Sequence, residues 1–212
     1  MPDTWLCEQI INDYFGPSHS LEQLVARGQW LQAEGLKFIY EESRRQKPRC
    51  AMAINWCFNE PWPTAANQSL ISWPARPKPA LAEVANACRP ITLSCRVTKF
   101  LWHNGETMDL DVFLLNDKYD SLSRTDIQYK LKIGAFETIV STWNFNGSDD
   151  QNTNIQGPSF TVLLPRIENV TELEILLECR EFPEWNQRYR LRYDNNWTPP
   201  LYGPAARKAL NQ

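Results

Sequence analysis

The sequence predicts an α+β composite fold, in which a segment of helices and one strand precedes an antiparallel β-sandwich. Two observations predict it. Up to about residue 90, apolar residues recur at helical spacing and prolines interrupt the pattern, whereas beyond it apolar and polar residues alternate with a period of two. The predicted domains are therefore residues 1–90 and 91–212.

Two helices are predicted at the start of the chain. The first covers residues 4–15 and ends at Gly16-Pro17, a strong stop signal. The second begins after Ser20, which fits a capping box with Gln23, and ends near Arg45. An interior glycine costs about 1 kcal/mol relative to alanine, so glycines in this helix predict close packing against a neighbour. The positions at helical spacing are Leu21, Leu24, Val25, Gly28, Leu31, Gly35, Phe38 and Ile39.

A short apolar run at residues 51–58 is predicted to be a strand buried on both faces, the parallel kind found inside barrels. A loop rich in Pro and Trp follows, and Pro79 begins another helix that ends before Arg89-Pro90. Helix, strand, loop and helix make one and a half βα units, which cannot close a barrel alone. We therefore expect this segment to expose apolar surface that a complete barrel would cover, and either to pair with another chain or to be less ordered than the sandwich.

The second segment is predicted to contain about seven short strands, which is typical of a β-sandwich. Five show regular alternation and two, at residues 136–143 and 159–164, are less regular. A polar loop is predicted from Asn144 to Gly157. The regular strands lie near residues 91–97, 108–112, 127–133, 173–179 and 189–193.

Composition excludes several classes of function. The net charge is −3 without a basic tract, which argues against a nucleic-acid partner. No apolar run is long enough for a membrane span, and the amino terminus lacks the pattern of a signal peptide. Six cysteines without a CxxC pair, and only two histidines, predict neither a metal site nor a cofactor. Free buried thiols are the favoured interpretation, and a disulfide stays an alternative.

The candidate site lies at the end of the predicted strand, between Asn55 and Pro63. Trp56, Asn59, Glu60 and Trp62 occur there, and function in (β/α)8 barrels gathers at the carboxy-terminal ends of strands. Amide and carboxylate groups can hold sugar hydroxyls, and indole rings can stack on sugar faces. With nine tryptophans in the chain, these four residues predict a carbohydrate-binding site, although packing is the alternative for each tryptophan.

A family resemblance adds to this interpretation. The stretch from Gln29 to Gly35, then Glu41, Arg44 and Arg45, and then Trp56 to Pro63, resembles the barrel end of glycoside hydrolase family 2, closest to its β-mannosidase-like branch. The stretches 76–80 and 87–90 resemble the last barrel helix of that family and its exit into the next domain. The sandwich is similar to the family's carboxy-terminal immunoglobulin-like domains in pattern only.

The resemblance implies a retaining exo-glycosidase for β-linked sugars, with β-mannosides as one candidate substrate class. Such enzymes use one carboxylate as nucleophile and another as general acid/base. Residues 51–58 resemble barrel strand eight, whereas the catalytic carboxylates are expected on strands four and seven, outside this chain. Glu60 departs from the Asp that the family more often has at this position. From its place at the strand end we expect Glu60 to contact substrate and not to act in catalysis, and a plain structural role is the alternative.

Two functions stay open at this point. The first is a fragment of a glycosidase, inactive alone, whose partners are a carbohydrate substrate and either the rest of the parent enzyme or another copy of the chain. The second is a non-catalytic β-sandwich module that binds carbohydrate or braces the barrel. The regular strands carry no row of aromatic residues at period two, which favours bracing.

Overall fold

The computed structural model describes residues 7–65 and 67–196. Its helices are α1 (Glu8–Phe15), α2 (Leu21–Arg45) and α3 (Pro79–Ala87). The predicted capping of α2 is confirmed, since the Ser20 side chain accepts a hydrogen bond from the Gln23 N–H at 3.2 Å. Gln23 Oε1 accepts in turn from the His19 N–H, at 2.8 Å. Residues 4–6 of the first predicted helix lie outside the described residues.

The two glycines of α2 differ in their surroundings. A Cβ atom at Gly28 would lie 3.1 Å from Ile11 Cδ1 of α1, so close packing is confirmed there. A Cβ atom at Gly35 would meet nothing within 4 Å, so the same prediction is wrong at that position. Gly35 faces open space because no described element covers that side of the helix.

The predicted strand at residues 51–58 is wrong. This stretch forms no regular strand, and its large apolar side chains are exposed, as Ile54 at 80% shows. A buried parallel strand needs a hydrogen-bonded neighbour on each side, and the described chain offers only residues 70–71, which bond to the Phe58 carbonyl and form a parallel bridge with Asn59 at the end of this stretch. Two short strands, β1 (Ile71–Ser72) and β2 (Arg76–Pro77), pair in an antiparallel hairpin instead. No part of a (β/α)8 barrel appears among the described residues.

The rest of the described chain is mainly antiparallel β-sheet. All seven predicted strands are confirmed, and two shorter ones are added. The polar loop is shorter than predicted, because one strand runs on to Phe145 and another occupies residues 155–156. The strands are β3 (Ile91–Arg96), β4 (Leu101–Trp102), β5 (Thr107–Asn116), β6 (Thr125–Ile133), β7 (Phe136–Phe145), β8 (Ile155–Gln156), β9 (Phe160–Leu163), β10 (Glu172–Cys179) and β11 (Gln187–Tyr193).

These strands form two sheets that share one core, an arrangement compatible with a β-sandwich. One sheet has the order β4-β11-β10-β6-β7, and the other has the order β3-β5-β8 with β9 also paired to β5. Alternate residues of β6, β10 and β11 are buried because each strand turns one face to the core and the other to the outside. The core includes Leu93, Cys95, Leu110, Val112, Leu114, Ile127, Tyr129, Leu131, Leu173, Ile175, Leu177 and Leu191.

The six cysteines are all free thiols. Burial of the thiols is confirmed at positions 95 and 179, but Cys88 is exposed and Cys50 and Cys57 are half-buried, so the prediction of buried thiols is wrong there.

Glu41 of α2 accepts hydrogen bonds from Ser94 of β3 and Tyr189 of β11, so contacts cross the predicted boundary at residue 90. The division into two domains stays a prediction.

Candidate functional site

The predicted sugar site lies in an irregular, aromatic-rich stretch that we call the aromatic loop (residues 55–65 and 67–78). Its tryptophans project into solvent: the exposed fraction is 81% for Trp56 and 65% for Trp62, and Trp73 is also exposed. Exposed rings of this size are costly in water unless something covers them. The aromatic loop therefore presents flat apolar faces without a partner among the described residues.

Backbone hydrogen bonds hold the two ends of the aromatic loop together. The Phe58 carbonyl accepts from the N–H groups of Leu70 at 3.0 Å and Ile71 at 3.1 Å. The Glu60 N–H donates to the Ile71 carbonyl at 2.9 Å. Residues 58–60 thus lie beside residues 70–71, and the stretch between them leaves and returns at one place. Pro61 and Pro63 flank Trp62 and limit the backbone there, because each proline fixes its own φ angle.

Glu60 is the one predicted site residue that points inward, with 7% of its surface exposed. One carboxylate oxygen, Oε1, accepts from Ser69 Oγ and from Lys78 Nζ, both at 3.0 Å. The other oxygen, Oε2, accepts from the Trp73 N–H at 3.1 Å. We call Glu60, Ser69, Lys78 and the Trp73 N–H the Glu60 cluster. It joins the start of the aromatic loop to its middle and its end.

The electrostatics of the Glu60 cluster favour a charged carboxylate. Burial acts to raise the pKa of Glu60, but the Trp73 N–H, the Lys78 ammonium and the Ser69 hydroxyl together outweigh it. The pKa of Glu60 therefore lies below its usual value, and the side chain is ionised at neutral pH. An ionised, hydrogen-bonded carboxylate of this kind is a poor proton donor, so the geometry gives no support to acid catalysis by Glu60.

The four predicted site residues thus fall into two groups. Trp56, Asn59 and Trp62 are exposed and can meet a ligand, whereas Glu60 is buried beneath them. Sequence reasoning gave no role to Trp73, whose N–H ties it to Glu60 and whose ring is exposed beside the same loop. The signal that could have found it is its position in a loop already rich in tryptophan.

A second polar cluster, which sequence reasoning missed, joins α2 to the sandwich. Glu41 is fully buried and accepts from Gln187 Nε2 at 2.8 Å, from the Tyr189 hydroxyl at 2.5 Å and from Ser94 Oγ at 2.8 Å. Arg45 forms an ion pair with Glu41 at 3.4 Å and also contacts Ser94. We call these five residues the Glu41 cluster. Desolvation raises the pKa of Tyr189 well above its usual value, so its hydroxyl stays a donor.

Further ion pairs extend this contact along the same face of α2. Lys37, almost fully buried, pairs with Glu34 at 2.9 Å and with Glu83 of α3 at 2.8 Å, and donates to the Arg188 carbonyl at 2.7 Å. Burial raises the pKa of Glu34 above its usual value. Charged residues three and four positions apart share one helix face, which is the sequence signal for this contact.

Residues 7–65 and 67–196 contain neither a membrane-spanning helix nor a cluster of metal-ligating side chains. Within those ranges no helix has the length and apolarity that a membrane span requires. Nor do three or more metal-ligating side chains (His, Cys, Asp or Glu) come together in that part of the chain.

Comparison with known proteins points in one direction. No family model matches the chain. The β-mannosidase B proteins of Aspergillus flavus and Aspergillus oryzae are each 35% identical to it over 85 residues, which is 39% of this chain and 10% of each relative. The chain thus spans about a tenth of the length of these relatives. The match supports a glycosidase-like relationship.

Likenesses to solved structures are more distant. A superoxide reductase from Ignicoccus hospitalis matches 49% of this chain and 80% of its own, at a TM-score of 0.34 and 11% identity. A β-glucosidase from Listeria innocua matches 51% of this chain and 16% of its own, at a TM-score of 0.34 and 8% identity. At these scores the likenesses carry no information about the function of this chain.

Proposed function

We propose that this chain forms the carboxy-terminal part of a family 2 retaining exo-glycosidase that hydrolyses β-linked sugars, with β-mannosides as the first class to test. Trp56, Asn59 and Trp62 would face the sugar, and Glu60 would belong to the wall behind them. The likeness to two β-mannosidases carries this proposal, because it agrees with the aromatic and amide groups that the loop exposes.

Each exposed group has a chemical task in such a site. The indole faces of Trp56 and Trp62 can stack on the apolar faces of sugar rings, and the Asn59 amide can both donate to and accept from hydroxyl groups. A retaining mechanism also needs two carboxyl groups about 5–5.5 Å apart, one of which attacks the anomeric carbon while the other protonates the leaving oxygen. In our proposal these two groups come from a part of the enzyme outside this chain.

Exposed apolar surface supports the proposal of an incomplete barrel. Side chains alternate along residues 52–58 so that Met52, Ile54, Trp56 and Phe58 are all largely exposed. This period of two is the pattern of a strand, and the stretch lacks only neighbouring strands to pair with. We propose that residues 51–58 become a barrel strand when the rest of the enzyme, or another copy of the chain, covers them, and that the sandwich is the immunoglobulin-like domain of that enzyme.

Turnover and binding by the same chain test this proposal. We expect no hydrolysis of aryl β-mannoside, β-galactoside or β-glucoside by the chain alone, because it lacks the catalytic pair. We expect isothermal titration with soluble β-mannan to detect binding that Trp56→Ala weakens at least about tenfold, or about 1.4 kcal/mol. Tyr119→Ala is the matched control, since Tyr119 is an exposed aromatic residue of the sandwich. Hydrolysis that Glu60→Gln abolishes would contradict the proposal.

A second candidate is a bracing role for the sandwich, favoured by the Glu41 cluster. This buried network fixes α2 to β3 and β11, and α2 in turn holds the aromatic loop through Gln32, whose Nε2 donates to the carbonyls of Gln68 at 2.9 Å and Ser69 at 3.1 Å. The titration above separates bracing from sugar binding by the sandwich. Binding that survives the combined change of Trp56, Asn59 and Trp62 to Ala would assign the sugar to the sandwich.

A further inference from the structure

The Glu60 cluster has a geometry that differs from a sugar-contact site. All of its side chains are nearly buried, and Ser69 is fully so. Three donors occupy the Glu60 carboxylate from within the protein, and Lys78 Nζ also donates to the Asn67 carbonyl at 3.0 Å and to Ser69 Oγ at 3.0 Å. A sugar hydroxyl would have to displace one of these donors before it could bind to the carboxylate.

The same contacts reach two of the three exposed tryptophans of the aromatic loop, Trp62 and Trp73. Trp62 lies two residues after Glu60, in a Pro-Trp-Pro stretch whose backbone has little freedom, so the anchor at Glu60 sets where its ring stands. Trp73 is tied directly, since its own N–H donates to Glu60 Oε2 at 3.1 Å. The buried Glu60 carboxylate therefore connects the stretch that carries Trp62 with the backbone of Trp73.

We propose that Glu60 is a positioning residue. Together with Lys78 it holds Trp62 and Trp73 at a fixed separation, so that both indole rings can stack on a β-linked sugar. This rests on the proposed sugar function of the aromatic loop. Glu60 acts through the two tryptophans and touches no sugar itself. The affinity of the loop for a sugar then depends on an ion pair buried beneath the binding surface.

The experiment uses the full chain labelled with 5-fluorotryptophan, with the ¹⁹F resonances assigned by single Trp→Phe changes. Glu60→Gln keeps the shape of the side chain but removes its charge and one acceptor oxygen, so it cannot accept both from the Trp73 N–H on one side and from Ser69 and Lys78 on the other. We expect the Trp62 and Trp73 resonances to shift or broaden, and the Trp73 amide to exchange with solvent at least tenfold faster. The resonances of Trp102, Trp143 and Trp185 in the sandwich are expected to stay in place. A purely structural role would lower the melting temperature and leave the ¹⁹F shifts of the folded chain unchanged.

Two further variants keep the test independent of folding problems. Glu106→Gln is the matched control, because Glu106 also accepts from a lysine, Lys99 at 2.7 Å, and from a backbone N–H, that of His103 at 2.9 Å, but lies in the sandwich. Lys78→Met removes the other half of the ion pair. We expect it to reproduce the spectrum of Glu60→Gln, and the double variant to add little, since both changes break one contact.

Titration with methyl β-mannoside completes the experiment. We expect Glu60→Gln to weaken binding at least tenfold and Glu106→Gln to leave it unchanged. If the wild-type chain binds no sugar but the Trp62 and Trp73 resonances move in Glu60→Gln, the positioning contact stands and the sugar function fails. If the wild-type chain binds and the variant leaves both the resonances and the affinity unchanged, the positioning role is overturned while the sugar function stands.

Discussion

The sandwich and the segment before it distribute their side chains in opposite ways. In the sandwich, apolar residues from both sheets meet in one core, and the other faces of β6, β10 and β11 carry Lys, Glu and Arg. α2 buries four charged side chains, Glu34, Lys37, Glu41 and Arg45, beside a small apolar cluster that includes Ala33, whereas Leu21, Val25 and Ile39 are exposed. The sheets of the sandwich therefore bury most of their apolar side chains in their own core, whereas α2 leaves several apolar side chains uncovered.

The largest expected effect concerns the polar interior of that earlier segment. Glu41→Ala removes one of the two carboxylates that pair with buried Arg45, leaving only Glu42 at 2.8 Å, and it removes the acceptor of three other donors. We expect urea unfolding to show a loss of about 3–5 kcal/mol, the cost of breaking a buried ion pair. Glu174→Ala is the control, because its pairs with Lys132 and Arg188 lie on the outer face of the sheet and should contribute less than about 1 kcal/mol. Equal small losses would show that α2 is not fixed to the sandwich in solution.

The next effect compares apolar residues from the two regions. Leu131 lies in the sandwich core and is 2% exposed. Its change to Ala should lower the free energy of unfolding by about 2–5 kcal/mol. Ile54, exposed at 80%, should change the free energy of unfolding by no more than about 0.5 kcal/mol. Urea unfolding measures both. A loss at Ile54 similar to that at Leu131, together with a sedimentation coefficient that rises with protein concentration, would instead mean that a second copy covers this surface.

The smallest effect separates the covered and uncovered sides of α2. Gly35→Ala places its Cβ in open space, so we expect it to stabilise the chain by about 0.5–1 kcal/mol through helix propensity alone. Gly28→Ala brings its Cβ to 3.1 Å from Ile11, and the crowding should cancel that gain. Melting temperatures of the two variants report the difference. Destabilisation by Gly35→Ala would indicate that this side of α2 is covered in solution.

Sequence reasoning succeeded where the signal is local. Ser20 and Gln23 mark the start of α2, Pro79 marks the start of α3, and regular alternation marks five of the seven predicted strands. Reasoning failed at residues 51–58, where an apolar run predicted a buried strand. A run of that kind reports only that the side chains avoid water; pairing with neighbours decides whether a strand forms.

The candidate site divides in the same way. Sequence reasoning selected Trp56, Asn59, Glu60 and Trp62 from their position and residue type, and their role in sugar binding stays a proposal. It placed Glu60 among the sugar contacts because the residue follows a predicted barrel strand, where function gathers. The donors that bury Glu60 come from residues 9, 13 and 18 positions further along the chain, so no short-range pattern announces them.

By itself, the sequence determined the bounds of α2, the start of α3 and most strands of the sandwich, because capping and alternation act between residues close in the chain. The start of α1 was predicted at residue 4, whereas α1 begins at Glu8. Only the tertiary structure decided which face of α2 is buried, that residues 51–58 lie uncovered, and that Glu60 turns inward. Each of these depends on which distant group supplies a contact, and the contact between Glu41 and Tyr189 spans 148 positions of the chain.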